Sequence, residues 1–227
     1  SLSEANANLV VSSGENADWS NPKGVKGVAG VTMHGGRLRI ETDNDGGEGL
    51  ESKDVLTING GVVELVCADD CINSGSDLYI NGGYIYAGST GNDAIDSNAN
   101  IYVNGGVTLA FTATSPECGM DTDASTGIRI NGGCVFTAGS ATDMAYGSSG
   151  SQKSYLDKSA SASTYAGKYI SFAGTDTVWA KIPAMASSGG TMSLMCSIPG
   201  LAASATPTVS SSAPSSGSIG FHGVYIR

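Results

Sequence analysis

Between Glu41 and Asp123 the chain places 15 of its 21 acidic residues and a single base, Lys53, a segment of formal charge −14. These acids recur in register: Glu48-Gly49-Leu50-Glu51-Ser52, Asp70-Cys71-Ile72-Asn73-Ser74, Asp93-Ala94-Ile95-Asp96-Ser97 and Cys118-Gly119-Met120-Asp121-Thr122. The columns read acid, small residue, apolar residue, acid or amide, hydroxyl, and just before them stand Gly47, Asp69, Asn92 and Glu117. Stacked as neighbouring strands, equivalent residues would lie about 4.8 Å apart. Two carboxylates at that spacing repel by about 1 kcal/mol in water and about 3.5 kcal/mol at an effective dielectric of 20. Almost no Lys or Arg lies within the segment, so the compensating charge is expected from solution. Oxygen-only donors favour a hard ion with 6 to 8 irregular ligands, calcium over zinc. The candidate ligands are Asp43, Asp45, Glu48, Glu51, Asp69, Asp70, Asn73, Asn92, Asp93, Asp96, Glu117, Asp121 and Asp123, holding more than one structural Ca2+. The bland alternative is a solvated acidic face. His34 and His222 lie outside the columns and read as surface or packing residues.

What would position these acids is an internal repeat. Ile58-Asn59-Gly60-Gly61, Ile80-Asn81-Gly82-Gly83, Val103-Asn104-Gly105-Gly106 and Ile130-Asn131-Gly132-Gly133 are near copies, with a weaker first copy at Met33-His34-Gly35-Gly36. Successive second glycines are 25, 22, 23 and 27 residues apart, a period of one solenoid coil. Ile, Val, Tyr and Thr around each Gly-Gly favour strands over helices. Alternation puts Leu38 and Ile40, Val63 and Leu65, Ile85 and Ala87, Thr108 and Ala110, and Val135 and Thr137 inward after the glycines. The apolar pairs before them run from Leu56 and Ile58 to Ile128 and Ile130. Each coil is expected to have two short strands hinged at Asn-Gly-Gly, where the backbone can take positive φ. Stacked coils close a core that no single coil can bury. The predicted fold is all-β: a right-handed parallel β-helix of about 22–27 residues per coil with an irregular C-terminal β cap.

Composition is consistent with one elongated domain: 227 residues, 33 Gly, 7% aromatic and 14% charged. Residues 1–150 are assigned to the coils and an N-terminal cap, and 151–227 to an irregular C-terminal β segment packing on or capping the helix, the two expected to form one continuous domain. Leu9-Val10-Val11 and Val28-Ala29-Gly30-Val31 are expected in the N-terminal cap. Tyr169–Phe172, Thr177–Ala180 and Gly223–Ile226 read as short strands, and 206–217 as a loop. The acidic balance argues against a nucleic-acid partner, and no stretch approaches the roughly 20 apolar residues of a membrane span. Ser1-Leu2-Ser3-Glu4 carries no leader, so a mature or trimmed chain is expected. Of the five cysteines, Cys67 and Cys71 are close enough in sequence to bridge, and Cys134 and Cys196 read as buried thiols.

The recurring Asp-x-φ-x-Ser segment before φ-x-Ile-Asn-Gly-Gly resembles the secreted carbohydrate-binding β-helix family of gut and cellulolytic bacteria, similar in fold to pectate lyases. The resemblance covers residues 28–150, with a weaker echo at Ser151-Gln152 and Cys196-Ser197-Ile198-Pro199-Gly200-Leu201. It implies a calcium-bearing β-helix, exported to the cell surface, that binds plant-type polysaccharide. The family's Asp-Asp-Gly-φ signature is altered here to Asp69-Asp70-Cys71-Ile72, Asn92-Asp93-Ala94-Ile95 and Glu117-Cys118-Gly119-Met120. The number of filled metal sites is therefore left open.

A glycan-binding surface is expected on the outward columns. Tyr79, Tyr102 and Arg129 succeed one another before the glycines, and Tyr84, Tyr86 and Phe136 project after them. Rings along a rigid face can stack on successive sugars, although Tyr also simply favours strands. The resulting reading is a monomeric, non-catalytic, calcium-binding protein of the bacterial cell surface whose partner is a glucan or a polyuronate. A pectate-lyase-like elimination, with Lys53 or Arg129 as base beside calcium, is one alternative. A structural adhesin or stalk is the other.

Overall fold

A computed structural model describes residues 8–13, 21–125, 127–140, 150–184, 190–217 and 220–227. The repeat winds into a β-solenoid of about five turns. Its first sheet stacks β1 (Asn8–Ser13), β4 (Arg37–Thr42), β7 (Val62–Cys67), β10 (Tyr84–Ser89), β13 (Val107–Thr112) and β15 (Cys134–Gly139) in parallel. A second stacks β2 (Lys23–Gly27), β5 (Glu48–Ser52), β8 (Ile72–Ser74) and β11 (Ile95–Ser97). The third stacks β3 (Val31–Met33), β6 (Leu56–Ile58), β9 (Leu78–Ile80), β12 (Ile101–Val103) and β14 (Ile128–Ile130). A coil therefore has three strands where two were expected. The acid-bearing pentads form the additional strand, because the central Leu50, Ile72 or Ile95 and the following Ser52, Ser74 or Ser97 all turn inward and are buried.

Register follows the repeat spacing. Arg37 lies beside Val62, Val62 beside Tyr84, Tyr84 beside Val107 and Val107 beside Cys134. The inward pairs read from the alternation are buried throughout, from Leu38 and Ile40 to Val135 and Thr137. At each Asn-Gly-Gly corner the second glycine takes positive φ, +82° at Gly106, and a Cβ there would stand 2.5 Å from the Gly83 carbonyl oxygen. Only glycine lets the corners stack this closely. The asparagines form an exposed ladder in which each side-chain amide donates to the coil before: Asn81 to Asn59 and Asn104 to Asn81 at 2.8 Å, Asn131 to Asn104 at 2.9 Å.

The C-terminal segment does more than cap an end. β19 (Thr191–Ser197) pairs antiparallel with β15, and β16 (Ser154–Ser161) pairs with β19, extending the first sheet beyond the last coil. β17 (Tyr169–Ala173), β18 (Thr177–Lys181), β20 (Thr208–Ser210) and β21 (Tyr225–Ile226) form a separate antiparallel sheet in the order β20-β17-β18-β21. The expected loop at 206–217 thus contains a strand. Ile170, Phe172, Val178 and Ala180 of this sheet form a second core with Leu109, Phe111 and Phe136 on the outer side of β13 and β15. Among the described residues the helices are Ala162–Tyr165 and the 3-10 turn Phe221–Gly223, and no helix is long and apolar enough to cross a membrane. All five cysteines are buried free thiols, so Cys67 and Cys71 do not bridge.

Candidate functional site

Hydroxyl columns hold the acid-bearing strands at both ends. At the entry, Thr42 Oγ1 donates to the Gly47 carbonyl at 2.5 Å, Ser89 Oγ to that of Asp69 at 2.9 Å and Thr112 Oγ1 to that of Asn92 at 2.6 Å. At the exit, Ser74 Oγ donates to the Asp54 carbonyl at 3.1 Å and Ser97 Oγ to the Ser76 carbonyl at 2.8 Å. The stacking is as read: Glu51, Asn73 and Asp96 are successive partners, and Ile95 bridges to Met120 one coil further.

The column divides into two chemistries. In the first coils the acids are neutralised by lysines, which corrects the expectation that solution ions compensate them. Lys23 Nζ lies 2.7 Å from Glu48 and Lys26 Nζ 2.8 Å from the fully buried Glu51, which Lys53 also contacts. Both β2 lysines precede the acidic segment, but each lies 25 residues before its partner, the spacing of the first coil. That coincidence was the available signal. Burial works against ionisation of Glu51, but hydrogen bonds from Lys26 and Lys53 outweigh it and lower its pKa. At Glu48 burial outweighs the Lys23 contacts, and its pKa is raised.

Further along the stack the acids face one another. One carboxylate oxygen from each of Asp93, Asp96 and Asp121 lies within 4.8 Å of the others. Burial first, and Asp121, Asp96 and Glu117 next, push Asp93 up to about 7 against a hydrogen bond from the Cys118 N–H. Burial and Asp121 push Asp96 up to about 6. Asp70 is pushed to about 9 by burial and then by Asp96, Asp69 and Asp93. Three converging hard oxygens fit an alkaline-earth cation, so the Asp93–Asp96–Asp121 cluster is where the residues could hold calcium. Glu48 and Glu51 fit it poorly, since lysines occupy the positions a cation would take.

The remaining predicted ligands are placed differently. Asp43, Asp45 and Asp123 are exposed. Asn73 donates its amide to Asp70 at 2.9 Å and Asn92 donates to Asp69 at 2.6 Å, so both act as donors within the column. Glu117 is half-buried beside Cys118, which lies at the position of the second acid.

The aromatic candidates are also partly redirected. Tyr79 and Tyr102 stack face to face, centroids 4.8 Å apart and 6° from parallel. Arg129 lies over the Tyr102 ring at 5.3 Å and donates to its hydroxyl at 3.2 Å. Both Tyr102 faces are therefore covered, and this row offers a sugar mainly ring edges and hydroxyls. Phe136 is corrected outright: it is fully buried beneath the C-terminal segment and offers no face to solvent. Tyr84 tilts against Phe221, and Tyr86 is half-buried under His222, rings 4.1 Å apart and 15° from parallel. Of the two bases considered for elimination, Lys53 is engaged with Glu51 and Arg129 with Tyr102.

Sequence reasoning missed a cleft of about 490 Å3 where the C-terminal sheet meets β10. Tyr86, Tyr169, Lys181, His222 and Tyr225 line it. His222 holds a left-handed backbone (φ +42°) and shares a hydrogen bond of 2.9 Å with Glu64, which Arg37 also contacts. His222 and Arg37 draw the Glu64 pKa down despite its burial. The sequence marked Tyr169–Phe172 and Thr177–Ala180 as short strands, but not that 221–223 would fold back over β10.

Comparison with curated proteins and with solved structures returns no match. Residues 2–94, the first coils up to Ala94, match a family described as carbohydrate-binding domain-containing protein.

Proposed function

We propose that this chain is a non-catalytic carbohydrate-binding protein, stabilised by calcium and displayed outside a bacterial cell, where polymeric glycans are met. The observation that carries the reading is the match of residues 2–94 to a carbohydrate-binding domain family. A rigid stacked solenoid suits it, because a surface that does not reorganise on binding loses little entropy to an extended polymer. Calcium would be held by Asp93, Asp96 and Asp121, where it would neutralise the facing carboxylates and tie adjacent coils together. The partner in this reading is a plant-type polysaccharide, a glucan or a polyuronate. A panel of immobilised neutral and acidic plant glycans, probed with calcium and again after chelation, tests it. Retention on at least one polysaccharide is expected, and absence of retention on every member in both conditions overturns the proposal.

A further inference from the structure

We infer that the outward face of the C-terminal sheet, with the cleft beside it, is a binding site for an anionic sugar. This rests on the carbohydrate-binding reading and adds a location and a ligand class to it.

Strand register builds the face. Tyr169 of β17 lies opposite Lys181 of β18, and Trp179 of β18 lies opposite Tyr225 of β21. Their neighbours Ile170, Val178 and Ala180 are buried on the other side, so Tyr169, Trp179, Lys181 and Tyr225 share one face. The Thr177 and Arg227 backbones exchange hydrogen bonds of 2.8 and 3.0 Å, which continues the β21 register and adds Arg227 beside this row. The Tyr169 and Tyr225 rings are 6.1 Å apart and 55° from parallel, so they do not cover each other as Tyr79 and Tyr102 do. Such open rings with polar tips match the apolar faces and equatorial hydroxyls of a pyranose.

The charge chooses the sugar. The Lys181 ammonium lies 5.9 Å from the Tyr169 ring centroid, and neither Lys181 nor Arg227 has a carboxylate partner among the described residues. The surrounding segment is the basic part of an acidic protein. Residues 151–227 carry five Lys and Arg against two Asp, +3, whereas residues 1–150 carry six against 19 acids, −13. An anionic chain approaching this molecule is repelled by the acidic coils and attracted to this sheet. A cleft of about 490 Å3 has room for a short saccharide. The Arg37–Glu64–His222 chain, with His222 on Tyr86, fixes the wall formed by the 221–223 turn. Gly223 is required there, since a Cβ would stand 2.6 Å from Lys181 Cβ.

The test titrates the full chain, in chelator, with trigalacturonate, its methyl ester, a sulfated galactan trimer and cellotriose, alongside the wider glycan panel. Trigalacturonate or the sulfated trimer should bind at least tenfold more tightly than the uncharged sugars, the better of the two identifying the anionic group. Lys181→Met should weaken the better ligand about tenfold, as expected for loss of a charged hydrogen-bond partner. If that ligand is trigalacturonate, Lys181→Met should also abolish the discrimination between acid and ester. Tyr169→Ala should weaken every ligand. Lys181 is exposed, so its replacement should leave thermal unfolding unchanged and keep the result interpretable. If the wild type binds a glycan and Lys181→Met keeps its affinity and charge preference, the inference fails and the carbohydrate-binding reading stands. If the wild type binds no glycan anywhere on the panel, both fail.

Discussion

If calcium occupies the Asp93–Asp96–Asp121 cluster as proposed, removing it should expose the electrostatic conflict there. With oxygens within 4.8 Å of one another, each charged pair costs at least about 3.5 kcal/mol at an effective dielectric of 20, on the order of 10 kcal/mol for three charges. Without a cation the cluster sheds part of that cost by holding protons. With Asp93 near 7 and Asp96 near 6, these two hold together about half a proton at pH 7 and between one and about one and a half at pH 6. Calcium should displace them, so titration calorimetry in buffers of different ionisation enthalpy should report that proton release. The sign for stability follows from the raised pKa values. The calcium-free penalty is absent below about pH 4, grows as pH rises and is complete above about pH 7. At one hundred times its dissociation constant calcium should add about 2.7 kcal/mol, or about 5–10 °C in melting temperature at this chain length. Asp121→Asn should weaken calcium binding while raising the melting temperature of the chelated protein. A melting temperature indifferent to chelator at pH 7.5, together with heats independent of buffer, would refute this reasoning.

Other consequences are simpler to read. Lys26→Met leaves the buried Glu51 with Lys53 alone and should cost about 1–3 kcal/mol in denaturant unfolding, with the deficit shrinking as pH falls and Glu51 protonates. Gly106→Ala forces a Cβ toward the Gly83 carbonyl at positive φ and should lower stability by about 2 kcal/mol or more, whereas Gly35→Ala, with open space around it, should cost under about 1. Tyr102→Ala should change glycan affinity less than about threefold, because Tyr79 and Arg129 already cover both ring faces; a larger loss would restore the solenoid row as the main sugar contact. A thiol reagent should find no reactive cysteine in the folded protein and five after denaturation, since burial pushes the Cys71 and Cys196 thiols up and Cys134 to about 11.

What the sequence determined by itself was everything with a period. Asn-Gly-Gly corners at 22–27-residue spacing can stack only if each second glycine takes positive φ under the next, so the coils, their register and the inward pairs follow from local conformation and alternation. The same period aligns Asp93, Asp96 and Asp121, and it also aligns Lys23 and Lys26 with Glu48 and Glu51. Tertiary structure alone decided what covers the outside. That Phe136 is buried, that His222 lies on Tyr86 and that Tyr169, Lys181 and Tyr225 meet at one cleft all depend on where a non-repetitive segment lands. The physical reason is that a repeat copies its neighbour's solution at every step. The C-terminal segment instead makes single contacts, Phe136 with residues about 35 to 60 positions on and Tyr86 and Glu64 with His222, 136 and 158 positions on, and nothing local in the chain specifies those contacts.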